Sequence, residues 1–206
     1  MELVIASNNM HKIREFRAIL KKMGNFDLLS LLDFPNYTPP QETGKTFEEN
    51  AIIKAEHAAK TLNRWAIADD SGLVIPALQG APGVCSRRYA SEHATDKENR
   101  KKLLQDMSHL SDTNRQGYFE CWIALASPQG VKKTTKGVSE GMIIDQEKGS
   151  LGFGYDSIFV KHEYGKTFAE LDEDTKNRIS HRRKALDKLL PFLEAIEKDS
   201  ADALPS

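Results

Sequence analysis

The sequence is poor in cysteine: Cys85 and Cys121 are its only two. Neither a disulfide framework nor a CxxC or His/Cys zinc cluster can be built from them, so a reducing, cytosolic setting is expected. Charge of one sign is lacking too. Lys and Arg total 29 against 30 for Asp and Glu, a net charge of -1, which leaves no basic field to hold nucleic acid through counterion release. Any anion it binds is expected to be small and held by local clusters of Lys and Arg. No apolar run approaches the roughly 18 residues of a membrane span. The start lacks a basic segment followed by a long apolar stretch and reads as a first strand, not a signal peptide. No serine stands in a G-x-S-x-G elbow and no Walker lysine follows the first strand and loop, so acyl transfer and P-loop chemistry lose support.

What is present suits a soluble α/β protein: 206 residues, 39% hydrophobic and 29% charged, enough for one domain or two closely packed lobes sharing a sheet. One domain is expected over 1–197, with a disordered tail at 198–206. Residues 3–6 form an apolar run of strand length that meets the polar turn Ser7-Asn8-Asn9. A helical spacing of Ile13, Phe16, Ile19 and Leu20 follows. Such a unit offers backbone N–H groups at the helix start to an anion, with Lys12 in the first turn. A second strand is expected over 26–32, followed by a loop containing Pro35, Pro39 and Pro40. Thr46 and Glu49 have the spacing of a capping box ahead of an Ala-rich helix over 50–62. Residues 65–68 read as a short strand ending in Asp69-Asp70-Ser71-Gly72. A helix over 96–107, a strand over 117–127, its antiparallel partner over 131–144 and a last helix over 180–196, interrupted at Pro191, complete the pattern.

Four places carry the residue types of phosphate chemistry. Asp69 and Asp70 at a strand end can hold a hard cation beside phosphate oxygens, or form a solvated turn; in a strand only one of them can face a pocket. Glu42, Glu48 and Glu49 read either as a metal shell or, for the last two, as helix capping. Gly152-Phe153-Gly154-Tyr155-Asp156 joins flexible backbone, rings able to stack on a planar base and a carboxylate able to accept from base or ribose, or else packs into the core. Lys176, His181, Arg182 and Arg183 read as an anion-facing cluster in which Arg182 can read a purine carbonyl, or as a solvated face. Together these residue types point to metal-assisted phosphoanhydride hydrolysis.

The motifs Ser7-Asn8-Asn9-Met10-His11-Lys12, 46–51, 68–72, 152–156 and Ser180-His181-Arg182, in this order and spacing, resemble the Ham1 or inosine triphosphatase family over about residues 3–193. The resemblance implies an elongated mixed sheet flanked by helices, with two lobes around a central substrate cleft, usually as a homodimer. It also implies Mg2+-dependent hydrolysis of ITP, dITP and XTP to the monophosphate and pyrophosphate. By the same resemblance, Ser7, Asn8, Asn9, Met10, His11 and Lys12 would bind the triphosphate. Asp70 would be the catalytic base and a metal ligand, Glu42 the other metal ligand, and Ser71 a substrate contact. Lys54 and Lys176 would lie near the phosphates, while Phe153, Gly154, Tyr155, Asp156, His181 and Arg182 would bind the purine, with Glu15 close to the base. Arg87 departs from the family pattern, which has a small residue there. A Maf-like pyrophosphatase and a catalytically silent nucleotide sensor are the alternatives.

Overall fold

The computed structural model describes residues 1–22, 24 and 26–202, and of 198–202 the backbone alone. Seven strands form one mixed sheet in the order β2-β1-β3-β4-β5-β6-β7. They are β1 (Glu2–Ile5), β2 (Asp27–Ser30), β3 (Ala66–Val74), β4 (Gln116–Ser127), β5 (Gly130–Ile143), β6 (Phe159–Lys161) and β7 (Lys166–Thr167). β1 pairs in parallel with β2 and β3, whereas β6 runs antiparallel to β5 and β7. The helices are α1 (Met10–Leu20), α2 (Phe47–Leu62), α3 (Asp96–Asp106), α4 (Glu173–Ile179) and α5 (His181–Asp202). No helix among the described residues is long and apolar enough to cross a membrane. The chain divides into two units, one of Met1–Asp70, Cys121–Gly137 and Arg182–Ser206, the other of Ser71–Glu120 and Val138–His181.

In the first unit the two-residue period of a strand sorts side chains between two helical layers. Leu3 and Ile5 of β1, Ile67 of β3 and Cys121, Ile123 and Leu125 of β4 pack with Ile13, Phe16, Ile19 and Leu20 of α1 and Leu186, Leu189 and Leu193 of α5. The alternate residues Val4, Ala6, Ala66, Ala68, Ala124 and Ala126 pack with Ala51, Ala55, Ala58 and Ala59 of α2. Small side chains on both surfaces let α2 lie close to the sheet. On the other face the large α1 side chains contribute roughly 1.5–3 kcal/mol each by burial, and Phe16→Ala would cost about 3–5 kcal/mol.

The strand expected at 65–68 does not end at the acids. β3 runs on through Asp69, Asp70 and Ser71 to Val74, so the paired acids lie inside a strand and not in a solvated turn. The second strand is shorter than its apolar run: at Leu31 the chain turns, with Ser30 and Asp33 closing a reciprocal cap. Half of the expected box at α2 forms. Thr46 accepts from the Glu49 N–H, but Glu49 reaches back to the Lys45 N–H instead of that of Thr46. Pro191 does not interrupt α5. It removes one backbone donor, and burial of Leu186, Leu189 and Leu193 around it keeps the helix intact. α5 is assigned through Asp202, and the end of the expected tail, 203–206, lies outside the described residues.

The second unit has an aromatic core. Phe119 stacks with Phe168 at 5.8 Å and with His181 at 4.9 Å between ring centroids, and Phe159 tilts against both phenylalanines. The polar stretch before the last helix forms a separate helix, α4, capped by Asp172, which accepts from the Thr175 N–H.

Candidate active site

Continuation of β3 through both acids gives them opposite partners. Asp69, in register with Ile67, faces the α1 and α5 layer. One of its oxygens lies 3.0 Å from Lys12 Nζ and 2.8 Å from an Arg182 nitrogen, and Arg182 also pairs with Glu15. The Cys121 thiol donates to the same oxygen at 3.8 Å. Burial by itself would raise the Asp69 carboxyl, but Arg182, Lys12 and Lys54 outweigh it and hold the group far below the usual carboxylate range. Arg182, 1% exposed, is itself disfavoured by burial and held charged by Asp69 and Glu15.

Asp70, in register with Ala68, faces α2. Its two oxygens accept from Asn50 Nδ2 at 3.2 Å and Lys54 Nζ at 3.0 Å. Lys54 also lies 3.0 Å from Glu42 Oε1, so one ammonium joins both carboxylates expected to hold metal. Asn50 is fixed from its other end, where Oδ1 accepts the Gly44 N–H at 2.8 Å. Burial raises the Asp70 carboxyl, and the opposing pull of Lys54 and Lys12 does not cancel it. Glu48 and Glu49 stay outside this cluster: Glu48 accepts from Thr134, and Glu49 caps the start of α2.

The loop before α1 presents less free backbone than its pattern suggests. Asn9 Oδ1 accepts the N–H groups of both His11 and Lys12, and Ser7 Oγ accepts that of Asn9. Asn8, Met10 and His11 are exposed there.

The remaining expected residues fall in the second unit. Asp156 is buried and accepts from the Phe153 N–H at 2.9 Å and from Lys176 Nζ at 2.6 Å. Lys176 lies 4.7 Å from the centre of the half-buried Phe153 ring. Gly152 and Gly154 have φ of +77° and +61°, which side chains bearing a Cβ rarely adopt, and this folds the loop back onto Asp156. Tyr155 is buried, with its hydroxyl on the Ser86 carbonyl. Its ring belongs to the core, whereas that of Phe153 is only half-buried. Ser71 is half-buried in β3, and His181 is buried against Phe119. Arg87 is exposed.

Sequence reasoning gave no role to Asp69 as a hub, to Asn50 as a ligand of the acid, or to Asp96 and Arg100, which hold Gly154. Asn50 was visible inside its motif, three residues into α2. For the others no local pattern marks the partner, because the contacts join distant segments.

A mixed α/β sheet bearing a strand with paired buried acids, each facing lysine or arginine, defines an α/β protein with a buried ionic cluster. A sequence model of the Ham1 family matches residues 3–192. The dITP/XTP pyrophosphatase of Protochlamydia amoebophila (strain UWE25) is 56% identical, covering 94% of this chain and 98% of that protein. That of Chlamydia abortus (strain DSM 27085 / S26/3) is also 56% identical, covering 94% and 95%. Among solved structures, the Staphylococcus aureus Ham1 protein superposes with a TM-score of 0.82 at 44% identity, covering 95% of this chain and 99% of that one. The HAM1 protein of Coxiella burnetii gives 0.85 at 43% identity, with the same coverage. The chain belongs to the Ham1 family, which displaces the Maf-like alternative.

Proposed function

We propose that this protein hydrolyses non-canonical purine nucleoside triphosphates, ITP, dITP and XTP, to the monophosphate and pyrophosphate with Mg2+. The observation that carries the reading is the buried Asp70 carboxylate facing Lys54, with Glu42 on the same ammonium. The names of the relatives, dITP/XTP pyrophosphatases similar over nearly the whole chain, support the substrate class.

The residues fit magnesium. Two carboxylate oxygens converge on one cationic atom, and hard oxygen donors are what this ion takes. Among the described residues no group of three His, Cys, Asp or Glu side chains is placed to hold a metal. A pair of carboxylates leaves positions for phosphate oxygens and water, the usual arrangement for magnesium at a nucleotide. When bound, the ion would neutralise phosphate charge and polarise the phosphoanhydride. Asp70 orients and deprotonates the attacking water, a role suited to a carboxyl whose proton affinity burial raises above the ordinary aspartate range. Lys54 and Lys12 supply positive charge to the triphosphate. In the second unit, Phe153 provides a face for the purine, and Asp156 with Lys176 fixes that ring.

Arg182, expected to read a purine carbonyl, is engaged elsewhere, pairing with Glu15 and Asp69, and the N–H groups of Phe153 and Gly154 go to Asp156 and Asp96. Arg182 is therefore proposed to position Asp69 and, through the strand, Asp70. By family resemblance the protein is also proposed to act in the cytosol as a homodimer with no nucleic-acid or membrane partner, which light scattering tests for the dimer.

The test is pyrophosphate release from ITP, dITP, XTP, GTP, ATP and dTTP, with Mg2+ and with EDTA, for the native protein and Asp70→Asn. Selective ITP and XTP cleavage, lost in EDTA and in the variant, is expected. Pyrimidine preference or binding without turnover would overturn the reading, the latter in favour of a sensor.

A further inference from the structure

The first two turns of α3 hold the base-side loop by both backbone polar groups of Gly154. Asp96 Oδ2 accepts the Gly154 N–H at 2.7 Å, and Arg100 Nη1 donates to the Gly154 carbonyl at 2.7 Å. Asp96 and Arg100 stand four residues apart on one helix, so they share a face and reach the same target. Arg100 continues to Glu147 at 3.0 Å, and Glu147 accepts from Ser157 Oγ at 3.1 Å just beyond the loop. Within the loop, the Phe153 N–H donates to Asp156 and its carbonyl accepts the Asp156 N–H. Every backbone polar group of Phe153 and Gly154 is therefore engaged, with Gly154 held at φ +61°.

From this arrangement we propose that Asp96 and Arg100 are positioning residues for base recognition. They lock the peptide that follows Phe153, so that its ring is held ready for a planar base and the loop offers that base a ring instead of the Phe153 and Gly154 N–H groups. This rests on the proposed nucleotide reading and adds to it the element that sets the loop. Neither residue touches the reacting atoms, so loosening the clamp changes base binding and leaves the phosphate chemistry alone. Rigid ring placement contributes to affinity by removing the ordering cost of binding.

The test compares wild type, Asp96→Ala, Asp96→Asn and Arg100→Met in two measurements: KM and kcat for ITP, and the inhibition constant of inorganic tripolyphosphate, which has no base. Asp96→Ala and Arg100→Met are each expected to raise KM by roughly tenfold, the equivalent of one hydrogen bond to a charged group. The value of kcat should stay within about twofold and tripolyphosphate inhibition should not change. Asp96→Asn keeps an acceptor oxygen and should recover most of the loss. Unchanged KM in both clamp variants, KM and tripolyphosphate inhibition weakening together, or no recovery by Asp96→Asn would each overturn the inference. If Asp96→Ala does not fold, Arg100→Met decides it from the carbonyl side. Wild-type protein that releases no pyrophosphate from ITP would overturn the proposed function itself, a result seen before any variant is compared.

Discussion

Replacing Arg182 by Met removes a guanidinium that is 1% exposed and bridges two buried carboxylates while keeping an unbranched side chain of similar reach. At the 2.8 Å separation from Asp69, the attraction is about 6 kcal/mol at an effective dielectric of about 20, much of it offset by the cost of burying the charges. Breaking such a pair from one side costs about 3–5 kcal/mol, because the other charge stays buried. Against a typical total of about 5–15 kcal/mol this is large, and the urea midpoint should fall by roughly 1–2 M. The sign with pH follows from Asp69. In the wild type its carboxyl is depressed, so its stabilisation is present above the ordinary aspartate value and is lost as pH falls through the folded one. Without Arg182, burial loses its main opponent and the carboxyl moves up. The deficit should then widen as pH rises from about 4 toward neutrality, while the remaining Lys12 and Lys54 limit it. Urea titrations at several pH values, followed by the fluorescence of Trp65 and Trp122, give both quantities. A deficit under about 1 kcal/mol at neutral pH, or one that shrinks as pH rises, would refute the reasoning.

Lys54→Met should move the acidic limb of kcat/KM to higher pH. Lys54 is the main group pulling the Asp70 carboxyl down against burial, and the base works only when deprotonated; an unmoved limb would point to another base. Glu42→Gln should raise the Mg2+ needed for half-maximal pyrophosphate release by roughly tenfold or more, since it removes one of two carboxylates. A Mg2+ titration that matches wild type would remove Glu42 from the metal. Gly152→Ala should destabilise the protein by about 1–3 kcal/mol. A Cβ at that φ would stand 2.1 Å from Asp156 Oδ2 and displace the partner of Lys176. A melting temperature equal to or above wild type would count against this loop geometry.

How far the sequence could be read depended on the range of the interaction. The spacing of Ile13, Phe16, Ile19 and Leu20 sufficed for α1, and Thr46 with the alanines that follow marked α2, because helix periodicity and capping are local. The extent of β3 was not legible. Asp-Asp-Ser-Gly favours turns by local propensity, and it is pairing in the sheet together with the Lys12, Arg182 and Lys54 cations that keeps two acids in a strand. The residue types near the cluster could be named, but not the assignments within it. Arg182 lies 113 residues from Asp69 and 167 from Glu15, and nothing in its neighbourhood of His181 and Arg183 distinguishes a buried counterion from a surface charge. The hold of Asp96 and Arg100 on Gly154 escaped for the same reason, being made across more than fifty residues.

The adjacent acids finally allow one substitution to test both the strand and the chemistry. A strand turns successive side chains to opposite faces, so Asp69 shares the side of Ile67 and α1 while Asp70 shares that of Ala68 and α2. Asp69→Asn removes the common partner of Lys12 and Arg182 and leaves the buried Arg182 and the half-buried Lys12 short of negative charge, at a cost of about 3–5 kcal/mol. Asp70→Asn keeps an oxygen for Asn50 and leaves Glu42 beside Lys54, so folding should change by only about 1–2 kcal/mol. Turnover should respond in the opposite order. Asp70→Asn should abolish pyrophosphate release at any Mg2+ concentration, whereas the folded fraction of Asp69→Asn should retain measurable activity, because its base is intact. Urea titration and single-turnover assays on the same preparations separate the two effects. If both substitutions destabilise equally, or if Asp69→Asn is as inactive as Asp70→Asn while fully folded, the two acids do not divide the work by the pleat of β3, and Asp69 belongs with the reacting groups.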